Sequence, residues 1–389
     1  MEEKKTLWLL YFGRLDDEKG FWLILNMLNM FVQKHWRIPF SLYVFWKWKY
    51  TQELMNLGQK YSSIRFFGWQ PLDNIKRYHE NCHFCLVPST FLETFWLTAL
   101  NSLSMWIPVI WFAKWWLSQF VEKKYDISKF WWKDDSEKLF NLVESIVKDF
   151  NSDKIDFEKE RKKALATAKK YTVEKWCENA EILFGKPKRI LLVSDFKSKL
   201  WWIETYIHDV ADILEEKWYE IKIYGTEIPN WLVWNLVRKF WLFFSLRNFI
   251  DWIKLKKIAR QFMPKIIRYH STLRRLGWYP IKLLSSHKSK KFVMYHDLWY
   301  FHPYPSQVTD ENMVRIPLTL FNYIKSGNTK NPIKIFAIFF KYISVKLLSK
   351  QLKKSVDLHL VPSEFMESMV CNSLSLPSKK VKTFSHFVQ

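Results

Sequence analysis

The sequence predicts an α/β protein of two domains, each built around a parallel β-sheet. Its 389 residues exceed what one hydrophobic core usually organises. Short apolar runs typical of buried strands alternate with segments of helical periodicity, which is the order expected of parallel sheets. The pattern restarts after residues 184–188, where Gly185 and Pro187 indicate a linker. We therefore expect one domain over residues 1–185 and a second over residues 188–389.

The elements of the first half follow from its hydrophobic periodicity. Strands are predicted at Thr6–Phe12, Phe40–Phe45, Ile64–Phe67, Phe84–Val87 and Pro108–Ile110. Helices are predicted at Phe21–Gln33, Thr51–Lys60, Asp73–Glu80, Leu97–Met105, Ser136–Asp149 and Phe157–Leu183. Cys82 and Cys85 fall on a buried strand and no second ligand pair follows, so we expect core packing there rather than a metal site.

The second half repeats the alternation of strands and helices. Strands are predicted at Arg189–Ser194, Ile221–Tyr224, Lys265–Arg268, Phe292–Tyr295 and His359–Val361, with an amphipathic helix from the Trp201-Trp202 turn to about Lys217. The Lys-rich segment Ile333–Val356 also predicts an amphipathic helix. Because its lysines do not fall on one helical face, we favour a partly exposed helix packed on its domain, with a membrane contact as the alternative.

Composition and charge exclude several classes of protein. With 49% hydrophobic and 25% charged residues the chain is globular, and no apolar run approaches the ~20 residues that cross a bilayer. Its start lacks the apolar core of a signal peptide, and its four cysteines show no paired spacing. We therefore expect a cytoplasmic protein, and the alternative is a peripheral position at the inner face of the membrane. The net charge of +23 favours anionic partners, but no nucleic-acid recognition motif accompanies it.

Tryptophan and glycine occur in unusual numbers. The chain has 8 glycines and 23 tryptophans, and the two together make about 8% of it, a normal share for glycine alone. Many tryptophans stand in turn contexts, and Trp218 lies where a helix should end and a strand begin. We hypothesise that most of them are glycines in the living protein, as when a UGA codon for glycine is translated as Trp. Trp69, Trp176 and Trp278 are interpreted as genuine, and a correctly translated Trp-rich protein is the alternative.

Two segments of the first half carry residues suited to a phosphorylated ligand. Residues Gly13–Gly20 follow a strand and open a helix, and a junction of this kind with Arg14 and Lys19 can hold a diphosphate with two cations and backbone amides. In the second segment, Pro88–Asn101, Glu93 precedes a helix and can bind sugar hydroxyls beside a phosphate. Each signal has a plainer interpretation, since surface turns often carry cations and an acid before a helix satisfies its dipole.

Taken together, the two segments resemble the donor-binding half of retaining GT-B glycosyltransferases, family 4 (group 1). The match depends on the Gly-Arg-Leu…Glu-Lys-Gly segment and on the second segment with its tryptophans read as glycine: Trp96, Trp106, Trp111, Trp115 and Trp116. Phe45–Trp48 resembles the family's Gly-x-Gly turn and Phe66–Gly68 its nucleotide-side loop. The resemblance implies a GT-B fold, with two Rossmann-like domains facing across a cleft.

The resemblance also implies roles for individual residues. Arg14 and Lys19 would hold the diphosphate of the donor, and Glu93 would contact the donor sugar as a catalytic residue. Donor binding is further implied for Phe95, Trp96, Leu97, Thr98 and Asn101. The family often has a second Glu where this chain has Asn101, and that Glu binds the nucleotide ribose. An amide at this position can still hydrogen-bond a ribose hydroxyl, but it carries no charge.

The second half resembles the acceptor-binding domain of the same family. Trp201 and Trp202 would form a Gly-Gly loop whose amides approach the donor phosphate, which two indoles would obstruct. His296, after a central strand, would lie beside the transferred sugar as a second catalytic residue, whereas His270 and His302 are interpreted as structural.

The domains stand in the reverse of the family's usual order. A circular permutation and a gene prediction that joins the tail of one transferase to the head of the next both remain open. The function implied is a retaining, metal-independent hexosyltransferase that needs no cofactor and moves a sugar from a nucleotide diphosphate sugar to an acceptor hydroxyl. Its acceptor would be a glycan or a lipid-linked molecule of the cell envelope. The alternatives are a non-catalytic nucleotide-sugar binder or inactive chimeric fragment, and a nucleotide-sugar epimerase.

Overall fold

The computed structural model divides the chain into two compact units. It describes residues 6–90, 95, 97–111, 123–126, 134–185, 189–199, 202–227, 245–270, 272, 276–298, 300–302 and 319–388. The first unit spans Met1–Val173 together with Phe387–Gln389, and the second spans Glu174–His386. The chain therefore passes from one unit to the other twice, and the helix that precedes the predicted linker is grouped with the second unit.

The first unit contains a parallel sheet flanked by helices. Its described strands are β1 (Trp8–Phe12), β2 (Ser41–Phe45), β3 (Ile64–Gly68), β4 (Phe84–Val87) and β5 (Val109–Trp111), in the spatial order β3-β2-β1-β4-β5. All the pairings are parallel. The helices are α1 (Phe21–His35), α2 (Thr51–Lys60), α3 (Leu72–Lys76), α4 (Leu97–Ser104), α5 (Asp135–Asn151) and α6 (Phe157–Ala168). Cys82 and Cys85 are buried in the core of this unit, as the sequence predicts.

The second unit is also a parallel α/β structure. Its described strands are β6 (Arg189–Phe196), β7 (Glu220–Thr226), β8 (Ile266–Tyr269), β9 (Lys290–Met294), β10 (Leu358–Val361) and β11 (Val381–Thr383), in the spatial order β11-β10-β9-β8-β6-β7. The helices are α7 (Val173–Phe184), α8 (Trp202–Glu216), α9 (Ser245–Phe262), α10 (Tyr279–Leu283), α11 (Leu320–Ser326), α12 (Pro332–Ser355) and α13 (Glu364–Leu374). The prediction of an α/β chain with two parallel sheets is therefore confirmed.

Three details of the sequence prediction were wrong. The single helix predicted over Phe157–Leu183 is two helices, α6 and α7, separated by a short 3-10 turn at Lys169–Tyr171. The helix predicted over Asp73–Glu80 is only the short α3, followed by another 3-10 turn. Strand β11 was not predicted, because its three residues alternate too briefly to show a period.

The backbone of several tryptophans supports the glycine hypothesis. Among the described residues, eight non-glycine residues have positive φ, and four of these are tryptophans: Trp36 (57°), Trp46 (100°), Trp106 (63°) and Trp218 (70°). A bulky side chain is disfavoured in this region, whereas glycine adopts it freely. Trp218 follows α8, precedes β7 and is 94% exposed, so its indole contributes little packing at a position suited to a glycine C-cap.

Other tryptophans fit the structure as large aromatic residues. Trp176 is buried and packs edge-on against Phe384, in keeping with its interpretation as genuine. Trp111 is completely buried in β5, where a glycine would leave a cavity unless its neighbours moved. The glycine hypothesis thus draws support at the four positive-φ positions and none from the packing at Trp111.

Candidate functional site

The candidate donor site of the first unit lies where its strand order reverses. The order β3-β2-β1-β4-β5 runs outward from β1 in one direction and from β4 in the other. The carboxyl ends of two such strands leave a crevice beyond the sheet, the usual ligand position in open α/β sheets. Residues 13–20 follow β1 and residues 88–90 follow β4, so the two segments singled out in the sequence lie at adjoining strand ends.

Direct contacts join these two segments. The Thr90 hydroxyl donates to the carbonyl of Asp17 at 2.8 Å, and its amide donates to the carbonyl of Glu18 at 3.1 Å. Gly20 has a φ of 67°, and a Cβ at this position would overlap the carbonyl oxygen of Pro88. A glycine is therefore required here for two reasons, its backbone conformation and the close approach of the second loop.

Arg14 is held by acidic residues of its own loop. Its guanidinium lies 3.0 Å from Asp16 and 2.6 Å from Glu18, and Asp16 accepts a hydrogen bond from the Lys19 amide. Burial raises the pKa of the Asp16 carboxyl, against the opposing effect of that amide. A phosphate that binds Arg14 must therefore compete with at least one carboxylate.

The far side of the loop is fixed by a second ion pair. Lys49 lies 2.6 Å from Asp17, which also accepts a hydrogen bond from the Tyr50 hydroxyl. These two hydrogen bonds lower the pKa of Asp17. Acidic residues on both sides of the loop thus form ion pairs with cations of the same unit, and Asp17 also accepts a hydrogen bond from a hydroxyl.

Helix α4 follows the second of these segments in the chain. Leu97, Thr98 and Asn101 lie in its first two turns and are partly exposed, whereas Phe95 is buried and its ring contacts Tyr171 edge-on. Phe95 is therefore placed to support the start of α4 rather than to touch a ligand with its side chain. Glu93 and Trp96 lie outside the described residues.

The second unit brings a cluster of histidines to the carboxyl edge of its sheet. His270 follows β8, His296 follows β9 and His386 follows β11, and all three are buried. His270 Nδ1 lies 2.8 Å from His296 Nε2, and the rings of His296 and His386 are stacked with centroids 5.2 Å apart. His270 is thus a buried, direct neighbour of His296.

Burial keeps these imidazoles neutral. It lowers the pKa of His270 and His296 well below the usual value, and the pKa of His386 to about 3. The neighbouring guanidinium of Arg268 acts in the same direction on all three. A neutral imidazole can accept a hydrogen bond at one nitrogen and donate at the other, so His296 is suited to a ligand hydroxyl rather than to a second charge.

The indole of Trp202 lies against two members of this cluster. Trp202 is the first residue of α8, its side chain is 43% exposed, and its ring meets His296 and His386 edge-on with centroids 5.4 Å and 5.9 Å away. The Trp202 indole therefore lies against His296, and the predicted obstruction of the phosphate approach stays a prediction. Trp201 lies outside the described residues.

Arg268 is a buried cation beside the same cluster. It is 2% exposed, and among the described residues its guanidinium nitrogens make no hydrogen bond of ordinary geometry. The rings of Trp176, Phe184 and Phe384 lie 5.4–5.9 Å from it. Burial lowers the pKa of Arg268, with Tyr206 opposing this effect. Sequence reasoning identified Arg268 only as the end of a strand, because its burial depends on helices that are distant in the chain.

No protein-family model matches this sequence, and no characterised protein matches it at the sequence level. Solved structures with partial likeness include a pneumococcal O-GlcNAc transferase, GtfA, in complex with UDP and GlcNAc (18% identity, TM-score 0.39, 47% of this chain and 37% of that one). A second is the catalytic domain of a cholesterol-α-glucosyltransferase from Helicobacter pylori (14% identity, TM-score 0.35, 43% of this chain and 100% of that one). A third is TarM (15% identity, TM-score 0.37, 47% of this chain and 36% of that one). This chain thus spans little more than a third of GtfA and TarM. At these scores the likenesses assign no function to it.

Proposed function

We propose that the chain is a glycosyltransferase that takes a sugar from a nucleotide diphosphate sugar. The observation that carries this proposal is the joining of the Gly13–Gly20 and Pro88–Thr90 segments where the strand order reverses between β1 and β4. Arg14 and Lys19 would bind the diphosphate, and α4 would present backbone amides toward it. Charge that develops on the departing diphosphate would be stabilised by these cations and amides.

The finer features of the reaction belong to the same proposal. Transfer would retain the anomeric configuration and need no metal, with the departing phosphate assisting the acceptor hydroxyl. Glu93 would contact the donor sugar and neutral His296 a hydroxyl of the transferred sugar. The proposed acceptor is a glycan or lipid-linked molecule of the cell envelope.

Binding and transfer assays with matched variants test this function. Uridine, guanosine and adenosine diphosphates are titrated calorimetrically into the unmodified chain, Arg14→Ala, Lys19→Ala and the exposed control Lys60→Ala. We expect one diphosphate to bind, with at least about tenfold weaker binding in both motif variants and little change in the control. Transfer from the matching nucleotide sugar should fall in the same two variants, and full activity in both would reject the assignment of Arg14 and Lys19.

A second candidate, a non-catalytic nucleotide-sugar binder, is favoured by the position of Trp202. Its indole covers part of His296, so a chain with tryptophan at this position would bind a donor through its first unit without catalysing transfer. Trp202→Gly together with Trp201→Gly discriminates the two functions. Turnover that appears only in the glycine variant favours the transferase with glycine at these positions, and donor binding without turnover in both chains favours the binder.

A further inference from the structure

Helix α12 carries two apolar faces, and only one of them is buried. Ile338, Val345, Leu348 and Leu352 pack into the second unit. A second set recurs every three or four residues along the helix and consists of Ile333, Phe336, Phe340, Ile343 and Leu347. At 3.6 residues per turn this second set lies within an arc of about 80°, centred about 140° from the buried set.

This second set, here called the outer stripe, is exposed over most of its length. Ile333 is 78% exposed and Phe336 55%, while Ile343 and Leu347 are each more than a third exposed. Phe340 is half-buried, and its ring contacts that of Phe336 at 4.7 Å. The outer stripe runs for roughly 21 Å, given the 1.5 Å rise per residue. Isolated exposed apolar residues are common, but a contiguous row of this length marks an interaction surface.

Lysines lie along one edge of the outer stripe, and the segment that contains it has no acidic residue. The segment from Thr319 to Val356 contains eight lysines and neither Asp nor Glu. Lys346, Lys350 and Lys353 are exposed and project within about 80° of one edge of the stripe. Long lysine side chains can cover apolar surface with their stems while keeping the ammonium group in a polar layer.

We propose that the outer stripe of α12 docks on the surface of an anionic lipid bilayer, lying in the plane of the interface. Phenylalanine and isoleucine would enter the headgroup region while the flanking lysines meet lipid phosphates. A second copy of the chain is disfavoured as the occupant, because two such helices would bring twelve lysines together and neither helix contains an Asp or Glu. None of the described helices is both long and apolar enough to cross a bilayer. The inference does not depend on the proposed transferase activity.

Vesicle co-sedimentation tests this surface. Vesicles of phosphatidylcholine with one quarter phosphatidylglycerol are compared with pure phosphatidylcholine, at 0.1 M and 0.5 M NaCl. We expect binding to the anionic vesicles only, weakened by the higher salt because the lysines are exposed. Phe336→Ser with Ile343→Ser should reduce this binding by about tenfold or more, whereas Ile182→Ser, which alters an exposed residue of α7, should leave it unchanged.

Two charge-reversal variants distinguish an effect of the lysines beside the outer stripe from an effect of the net charge of the chain. Lys346→Glu with Lys350→Glu should abolish binding, and Lys159→Glu with Lys162→Glu on α6 changes the net charge equally but should preserve it. Circular dichroism confirms that each variant is folded. The proposal is overturned if the unmodified chain does not bind anionic vesicles, or if the Phe336 and Ile343 variant binds as well as the unmodified chain. It is likewise overturned if sedimentation shows a dimer that these substitutions dissociate without any lipid binding.

Discussion

His270 and His296 share a hydrogen bond of 2.8 Å between Nδ1 and Nε2 inside the second unit. One ring must donate and the other accept, so this bond requires at least one neutral imidazole. Because β8 and β9 are paired, the residues that follow them lie side by side at the carboxyl edge of the sheet. The neighbour of His296 is thereby set by strand order, and any substitution at His270 changes the hydrogen bonding of His296.

The buried histidines should make folding sensitive to acid. Below about pH 6.5 the unfolded chain gains a proton at each histidine that the folded chain does not bind, because the folded pKa values are lowered, to about 3 for His386. The free energy of unfolding should therefore fall as the pH drops below 6.5, by up to about 1.4 kcal/mol per pH unit for each histidine. Above pH 6.5 both states are neutral at these groups, and this contribution is constant.

Urea unfolding between pH 5 and pH 8 measures this dependence. His386→Phe keeps a ring in the stack but removes one titrating group, so its slope below pH 6.5 should be shallower than that of the unmodified chain. His208→Phe, a substitution of a partly exposed histidine in α8, is the control for loss of an imidazole elsewhere. Equal slopes for His386→Phe and the unmodified chain would show that His386 is not kept neutral by burial.

Glu18 should weaken the binding of a diphosphate at Arg14. Its carboxylate lies 2.6 Å from the guanidinium, so a phosphate must displace it or bind beside it. Glu18→Gln removes this charge while preserving the side-chain shape, and we expect nucleoside diphosphate binding to strengthen by several-fold at low salt. Glu53→Gln, on the exposed face of α2, is the matched loss of one negative charge. Weaker binding in Glu18→Gln would instead mean that Glu18 positions Arg14 for the ligand.

The fold was largely predictable, whereas the neighbours in the site were not. Helix α2 and strand β4 have the bounds that the sequence predicts, because local hydrophobic periodicity determines both. The contact of His270 with His296 depends on the pairing of β8 with β9, and the burial of Arg268 depends on rings from α7 and from the end of the chain. Periodicity reports which face of an element is buried, but it does not report which distant element covers that face.

Replacing two tryptophans with glycine should have opposite effects on stability. Trp218 has a φ of 70° and a largely exposed indole, so Trp218→Gly should raise the free energy of unfolding by roughly 1 kcal/mol as the backbone strain is relieved. Trp111 is fully buried in β5, so Trp111→Gly should lower it by about 3–5 kcal/mol through the cavity left behind. Urea midpoints of the two variants measure both effects. Destabilisation in Trp218→Gly would remove the structural support for glycine at that position.

Gly20 should tolerate no side chain, because a side chain there would be destabilised both by the backbone conformation and by steric overlap. Its φ of 67° disfavours any residue with a Cβ, and that Cβ would also overlap the carbonyl oxygen of Pro88. Gly185 serves as the control for backbone conformation alone, since its φ is 73° and no atom lies within 4 Å of the Cβ position. Gly185→Ala should therefore lower the free energy of unfolding by about 1 kcal/mol, and Gly20→Ala by clearly more.

The same pair of variants connects stability to the proposed donor site. Accommodating a methyl group at Gly20 requires the loop after β1 to separate from the loop after β4, which would strain both hydrogen bonds between Thr90 and the carbonyls of Asp17 and Glu18. Gly20→Ala should consequently lose nucleoside diphosphate binding under conditions where the variant is still folded, while Gly185→Ala retains it. Calorimetric titration of both variants, with circular dichroism as the check on folding, measures the difference. Unchanged binding in a folded Gly20→Ala variant would show that the junction of the two loops does not form the diphosphate site.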